Sequence, residues 1–347
     1  MRFTQPFMQG IITLNMELVK PKTDKLDLNV IRELVRDDWA GVNREILESL
    51  ESDVALVNSV SRYIVNSGGK RLRPLLVLLA ARACGYEGDK HIQAAVIIEF
   101  IHTATLLHDD VVDSSALRRG LATAHSVFGN QASVLVGDFL YSRSFQLMVR
   151  VGHMRIMDVL ADATNTIAEG EVLQLMNCNE PDTTEEQCME VIYRKTAKLF
   201  EAGMLIGAIL AGQTRAVEDA LSEFGRKLGC AFQLVDDALD YGTGSADLGK
   251  NIGDDLAEGN PTLPLIHALK NALPTEQLVI RKAIEEGGLD EIDGIVATIK
   301  ATGALAYTIR LAEQATDEAI AALAPVPDSA YKDSLIQLAE FAVRRQY

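Results

Sequence analysis

From Leu28 onward apolar residues recur at intervals of three and four, as at Val30, Leu34, Val42 and Ile46, with Trp39 one step off. This is the spacing of one face of an α-helix, and the strict alternation of a half-buried strand is nearly absent. Breaks fall at Ser67-Gly68-Gly69, Gly85 to Asp89, Gly120, Gly129-Asn130, Asn179 to Thr184, Gly242 to Pro264, Leu273-Pro274, Gly287-Gly288 and Pro325 to Asp328. No Asn-Gly turn sits between alternating runs, and no fixed-period repeat, low-complexity tract or linker divides the chain. The pattern predicts an all-α protein, one large helical bundle over residues 27–347.

Two segments are apolar nearly all round rather than on one face. His91 to Ser115 carries Ala94, Ala95, Val96, Ile97, Ile98, Phe100, Ile101, Ala104, Leu106 and Leu107, and Phe232 to Tyr241 has the same character. Such helices belong in the middle of a bundle. Each ends in three aspartates at the same spacing: Asp109, Asp110 and Asp113 in the first, Asp236, Asp237 and Asp240 in the second.

Composition narrows the class. Of 347 residues 48% are hydrophobic, enough for a large core, and 33 Lys and Arg against 49 Asp and Glu leave a net charge of −16. That balance argues against nucleic acid or an anionic membrane as the main partner. The cysteines Cys84, Cys178, Cys188 and Cys230 form no CxxC pair and no zinc-ligand rhythm, as expected of reduced thiols in a cytoplasmic protein. Residues 1–26 mix Arg2, Glu17, Lys20, Lys22, Asp24 and Lys25 with short apolar pieces. They lack the apolar core of a signal peptide, and a mitochondrial presequence is the weaker reading because basic residues are few and two acids interrupt them, so a flexible tail is expected. The longest apolar run, Leu75 to Ala81, is far below the roughly 20 residues of a membrane span, and no transmembrane segment is expected.

In a helix Asp109 and Asp113 stack on one face, with Asp110 displaced by about 100°; Asp236, Asp240 and Asp237 repeat the geometry. Burying so many carboxylates costs several kcal/mol per ion unless something positive neutralises them. No set of histidines or thiols accompanies them, so the implied partner is a hard cation that prefers oxygen. Mg2+ fits best, because it bridges a few carboxylates to phosphate oxygens while keeping some waters. One such cluster alone reads equally well as a solvated acidic turn; two on apolar helices do not. Neither has the alternating pattern of an EF-hand calcium loop.

Positive charge that answers a diphosphate is also present. Gly68-Gly69-Lys70-Arg71-Leu72-Arg73-Pro74 is a glycine break, three cations and a proline suited to a first helical turn. Free N–H groups at a helix start, with Lys70 and Arg73, make an anion site. Arg118 and Arg119 follow Asp113, and Lys195, Thr196 and Lys250 lie near helix ends. His102, two turns before Asp109, is a candidate phosphate donor; alone it would read as a core histidine. His108 reads equally as packing, and His91, His125, His153 and His267 belong to no constellation.

With these residues in place the chain resembles the trans-prenyltransferases, the polyprenyl diphosphate synthases, from about Ala40 to the C-terminus. The resemblance rests on GGKRLRP at 68–74, LLHDDVVD at 106–113 with RRG at 118–120, GDFL at 137–140, KTAKLF at 195–200, FQLVDDALDY at 232–241 and GKNIGDD at 249–255. Within the family it is most similar to the bacterial octaprenyl diphosphate synthases. It implies the isoprenoid synthase bundle with a central active-site cavity, a homodimer, and two diphosphate pockets. By motif position Lys70, Arg73, His102 and Arg119 would hold isopentenyl diphosphate. Asp109, Asp113 and Asp236, supported by Asp110, Asp237 and Asp240, would bind magnesium on an allylic diphosphate such as farnesyl diphosphate, with Arg118, Lys195 and Lys250 on its oxygens. Thr196 and Gln233 would point dipoles at the developing cation. Asn260 stands where the family usually has a second lysine, which removes one diphosphate contact.

Residues four and five before Asp109 lie about one turn beneath it, where a growing chain would go. Short-product relatives place aromatics there; Thr105 and Ala104 leave the floor open above Ile101 and Ile98. The lesser alternative is that small residues there merely permit close helix packing. The expectation is a long all-trans product near eight isoprene units that supplies a quinone side chain. A shorter-chain synthase is also compatible with the motifs. A class I terpene cyclase would replace the second aspartate cluster with an Asn-Ser/Thr-Glu triad and would not need GGKRLRP. A non-catalytic modulating subunit would tend to lose aspartates, and a purely structural bundle explains none of the buried charge.

Overall fold

The computed structural model describes residues 27–242 and 252–344. The expected tail over 1–26 and the candidate contact Lys250 lie outside the described residues. The first helices are α1 (Leu28–Leu34), α2 (Arg36–Ser49), α3 (Ala55–Asn66), α4 (Leu72–Ala83) and α5 (Lys90–Val112). A ribbon of β1 (Leu117–Arg118) and β2 (Leu121–Ala122) then precedes α6 (Ala124–Phe128), α7 (Asn130–Val151) and α8 (Met154–Asn177). Next come α9 (Glu185–Val191), a π-helical segment over Ile192–Ala197, α10 (Lys198–Leu210) and α11 (Arg215–Asp240). The rest is α12 (Asp254–Ala257), α13 (Leu263–Asn271), α14 (Pro274–Glu286), α15 (Ile292–Ala301), α16 (Ala304–Ala322) and α17 (Ala330–Val343).

The two segments that are apolar all round form the centre. Helix α5 packs against α2, α4, α7 and α10, and α11 against α10, α13, α16 and α17. Ile97, Ile98, Phe100, Ile101 and Leu107 on α5 are essentially inaccessible to solvent. Each such side chain contributes about 1.5–3 kcal/mol as an upper estimate, because the unfolded chain already buries part of that surface. No single helix among the described residues is long and apolar enough to cross a membrane.

One strand pair departs from the all-helical expectation. Leu117 faces Ala122 and Arg118 faces Leu121, joined by Arg119 and Gly120 with φ of 54° and 76°. Two consecutive left-handed residues make the tight hairpin turn that Asn-Gly usually supplies, so the ribbon carried no Asn-Gly signature. Elsewhere local rules hold. Thr184 Oγ1 accepts from the Gln187 N–H at 3.2 Å and Gln187 Oε1 from the Thr184 N–H at 2.8 Å. This reciprocal cap starts the helical run that continues through the π segment into α10. The cysteines are unpaired thiols, with Cys84, Cys188 and Cys230 buried and Cys178 half-buried.

Candidate active site

A cavity of about 2170 Å³ is lined by residues of α4, α5, α8, the π segment and α11. Ordinary small-ligand pockets hold roughly 300–1,000 Å³, so this one suits a ligand of unusual length.

Its acidic wall joins the two aspartate clusters. Asp109 and Asp113 from the end of α5, and Asp236 and Asp237 from the end of α11, all line the cavity. Asp113 caps α5 and Asp240 is the last residue of α11, so both clusters sit at the negative ends of helix dipoles. Burial is therefore only part of their cost. Asp110, on the neighbouring face, is fully buried and accepts from Arg118 Nε at 2.7 Å and Nη2 at 2.6 Å. Asp240 is also buried, and its Oδ2 accepts the Asp255 N–H at 3.2 Å, fastening α12 to the end of α11. Asp110 and Asp240 thus stand behind the cavity wall rather than on it.

Further acids crowd the same wall. Glu171 on α8 and Glu258 after α12 line the cavity with Asp254 and Asp255. Burial, reinforced by Glu171 and Asp110 and opposed by Lys195 and Arg118, pushes Asp109 up to about 6. Burial, with Asp113 and Asp255 adding to it, pushes Glu258 up to about 7. Burial followed by Asp255 holds the Asp237 carboxyl well above the usual carboxylate range. Carboxylates pressed this hard toward protonation call for cationic neutralisation. Among the described residues no three His, Cys, Asp or Glu side chains close into a ready-made ion cage. The donor set therefore fits a hard divalent cation that shares its shell between carboxylates, waters and ligand phosphate oxygens.

Lys195, Thr196 and Gln233 also line the cavity, with Lys195 next to the first cluster. Lys195 Nζ lies 2.7 Å from Glu171 and 3.7 Å from Asp109. Burial alone would lower its pKa, but Asp109 and Glu171 outweigh burial and raise it, so it stays charged. Lys195 and Thr196 belong to the π segment, where an extra residue per turn re-aims side chains relative to α9 and α10. The Thr196 hydroxyl donates to Gln233 Oε1 at 2.9 Å, and Gln233 Nε2 donates to Asp237 Oδ1 at 2.8 Å. This chain of dipoles runs from the π segment to the second aspartate cluster.

The basic wall is built from the loop before α4. Lys70, Arg71, Arg73, His102 and Arg119 line it, and Arg119 Nη1 donates to the Gly68 carbonyl. Gly69, with φ of 137°, lies so close to the Arg119 guanidinium that a Cβ there would collide with it. Arg73 Nη1 lies 3.0 Å from His102 Nε2. An arginine only donates, so Nε2 accepts and the imidazole proton sits on Nδ1. Burial, then Arg73 and Arg119, holds His102 well below its usual pKa, and the ring is neutral. The Arg73 guanidinium also lies 4.5 Å over the Phe200 ring, and burial lowers its pKa to about 10.

Sequence reasoning missed Glu99, Glu171 and Glu258. Glu99 lines the cavity, and burial raises its pKa while the guanidiniums of Arg71, Arg73 and Arg119 oppose that rise. An acid set within the apolar run Ala94 to Ile101, ahead of the aspartate cluster, was the signal that could have found it. Of the two floor positions, Thr105 lines the cavity, and its hydroxyl donates to the His102 carbonyl at 2.8 Å. Ala104, one residue and about 100° away, is buried in the core. Asn260 also lines the cavity; its Nδ2 donates to Glu258 at 3.2 Å and its Oδ1 accepts from the Cys178 thiol at 3.0 Å.

The sequence pattern of the family described as polyprenyl synthetase matches residues 54–299, most of the chain. The chain belongs to the polyprenyl synthetase family. It is a trans-prenyltransferase with the all-helical isoprenoid synthase fold. Octaprenyl diphosphate synthase of Escherichia coli strain K12 is 54% identical over 321 residues, covering 92% of this chain and 99% of that protein. An all-trans-nonaprenyl-diphosphate synthase of Rhodobacter capsulatus, described as geranyl-diphosphate specific, is 46% identical over 90% of this chain and 96% of its own. Among solved structures, a polyprenyl synthase from Caulobacter crescentus CB15 complexed with calcium and isoprenyl diphosphate superposes with a TM-score of 0.89. It is 45% identical, over 93% of this chain and 99% of that one.

Proposed function

We propose that this polyprenyl synthetase makes an octaprenyl-class all-trans diphosphate, extending farnesyl diphosphate with isopentenyl diphosphate in the presence of Mg2+. The observation that carries the reading is that Asp109 and Asp113, Asp236 and Asp237, and the glycines and cations Gly68, Gly69, Lys70, Arg71 and Arg73 line one large cavity. The relative that is 54% identical makes the octaprenyl length its name states, and the Caulobacter structure holds a divalent cation with an isoprenyl diphosphate.

The reaction opens with heterolysis of the allylic C–O bond, which leaves a carbocation and pyrophosphate. Mg2+ held by Asp109, Asp113 and Asp236 would supply charge neutralisation for the leaving group. Asp237 completes that wall, and Asp110 and Asp240 anchor the helix ends behind it. Lys195 and Arg118, both on the cavity lining, meet the diphosphate oxygens. Thr196 and Gln233 aim their dipoles at the allylic carbon as positive charge develops. Lys70, Arg73, His102 and Arg119 hold isopentenyl diphosphate so that its double bond attacks the cation and forms the new C–C bond. A proton then leaves the adjacent carbon, restoring a double bond; the departed pyrophosphate accepts it. The apolar walls exclude the water that would quench the cation. Lys250 would contact the same diphosphate, and Asn260 offers an amide dipole where a lysine would offer a charge.

Thr105, small and on the cavity wall, leaves space beneath the aspartates for the chain, with Ala104 backing it. Exposed Leu135, Phe145 and Val149 on α7 suit a homodimer face. The enzyme acts in the cytoplasm and its product becomes a quinone side chain. Incubation with farnesyl diphosphate, labelled isopentenyl diphosphate and magnesium, followed by chain-length analysis, tests the assignment. An eight-unit product supports it. Absence of condensation overturns it, and a cyclic hydrocarbon would indicate a cyclase. Sedimentation at micromolar concentration separates dimer from monomer.

A further inference from the structure

Helices α1 and α2 precede residue 54, where the family match begins, yet both reach the basic wall. Arg32 of α1 donates from Nη2 to the Lys70 carbonyl at 2.7 Å. Its guanidinium lies 4.9 Å over the Trp39 ring of α2, and its Nε is buried with no hydrogen-bond partner. An orphaned buried donor costs about 1–3 kcal/mol, so the arginine is kept in this pose against a penalty. Asn43 of α2 accepts from Arg71 Nη1 and is itself fixed by donating Nδ2 to the Trp39 carbonyl at 3.0 Å.

The loop needs such bracing. Gly68, Gly69 and Arg71 have φ of 86°, 137° and 45°, so a non-glycine residue holds the left-handed region at the start of α4. Left-handed backbone in a non-glycine residue costs about 1–3 kcal/mol and persists only when neighbours over-determine it. Helix α2 is itself anchored to the core. Asp38 accepts from Arg82 Nε of α4 at 2.7 Å and Nη2 at 2.6 Å, and His91 of α5 lies 3.1 Å away. A rigid path therefore leads from α4 and α5 through α2 to the loop that carries Lys70 and Arg73.

We infer that Arg32 and Asn43 are positioning residues for the homoallylic pocket: they hold the Lys70–Arg71 backbone so that Lys70 and Arg73 converge on the diphosphate of isopentenyl diphosphate. This rests on the reading of Lys70 and Arg73 given above. Their removal acts on one substrate and not on the other, because the aspartate wall has its own supports.

Titration of the full chain with isopentenyl diphosphate in chelator, without metal, reads this pocket apart from turnover. Arg32→Ala and Asn43→Ala are each expected to weaken binding about tenfold, the equivalent of about 1.4 kcal/mol. Arg32→Lys, which still donates to a carbonyl, recovers most of it. In turnover the KM for isopentenyl diphosphate rises with it, while kcat and the KM for the allylic diphosphate stay within about twofold, an effect general destabilisation would not confine to one substrate. Unchanged binding in both variants, or equal losses for the two substrates, overturns the inference. If Arg32→Ala melts without cooperativity, Asn43→Ala decides. Failure of the parent chain to bind isopentenyl diphosphate overturns the pocket reading itself; parent binding with unaltered variants overturns only the brace.

Discussion

The Lys195 ammonium lies 2.7 Å from the Glu171 carboxylate, on the cavity wall that also carries Asp109. Lys195 is the point at which the acidic wall meets the π segment, and its charge survives burial because two carboxylates hold it. Lys195→Ala removes a charge aimed at the leaving group, and kcat should fall about 100-fold, the scale of losing one preorganised electrostatic contact. Lys195→Arg keeps the charge in a different shape and should recover part of that loss. Single-turnover rates with farnesyl diphosphate measure it; an alanine variant within about threefold of the parent would contradict the assigned role.

Product length follows from which side chain touches the cavity. Thr105 does and Ala104 does not, so the informative substitution is at Thr105. Thr105→Phe should shorten the product by several isoprene units with little loss of the first condensation. Ala104→Phe instead pushes a ring into a packed core and should lower Tm, since overpacking costs about 1–3 kcal/mol. Chromatography of the dephosphorylated products, with melting curves for both variants, separates the two effects. Eight-unit product from Thr105→Phe would remove Thr105 from the floor.

Much of this architecture is legible in the residues alone. The helical period, the two apolar central helices and the aspartate triplets at their ends follow from spacing, and the structure joins Asp109, Asp113, Asp236 and Asp237 on one wall. Less legible are features set by long-range packing. Periodicity places Asp240 on one face with Asp236, but as the last residue of α11 it turns to an amide of α12. Arg118 lines the cavity and also pairs with Asp110, eight residues away across the turn, a partnership that helical periodicity does not reveal. The π segment that aims Lys195 has no local signature, because its extra residue is stabilised by what packs against it. Glu171 and Glu258 are single acids in unremarkable stretches, made significant only by the cavity they share.

The close approach of α8 to the π segment makes Gly170 a sensitive position. A Cβ there would stand 2.7 Å from Arg194 Cβ and 2.8 Å from the Lys195 backbone nitrogen. The second of these is main chain and cannot rotate away. Gly170→Ala should therefore cost about 1–3 kcal/mol of stability and also displace Lys195, so that kcat falls in protein that is still folded at about 25 °C. Thermal melts paired with kcat at a temperature well below Tm test both halves. A variant with parent-like Tm and kcat would mean that the π segment yields freely.

The acidic wall predicts how pH, stability and metal are linked. Asp109, raised to about 6, binds its proton more tightly in the folded than in the unfolded chain, as does Glu258, raised to about 7. Stability falls with rising pH wherever the native state holds more protons. In metal-free protein this contribution is therefore fully present below the ordinary carboxylate range and lost as pH rises through about 6 to 7. A divalent cation binds the deprotonated form, so its affinity changes in the opposite sense. The rise in Tm on adding magnesium with pyrophosphate should be small at about pH 5.5 and large at about pH 8. Asp109→Asn should flatten the dependence, because its amide neither titrates nor repels its neighbours. Calorimetric scans of parent and variant at the two pH values give the answer, and a magnesium-induced Tm shift independent of pH would contradict a wall of strained carboxylates awaiting a cation.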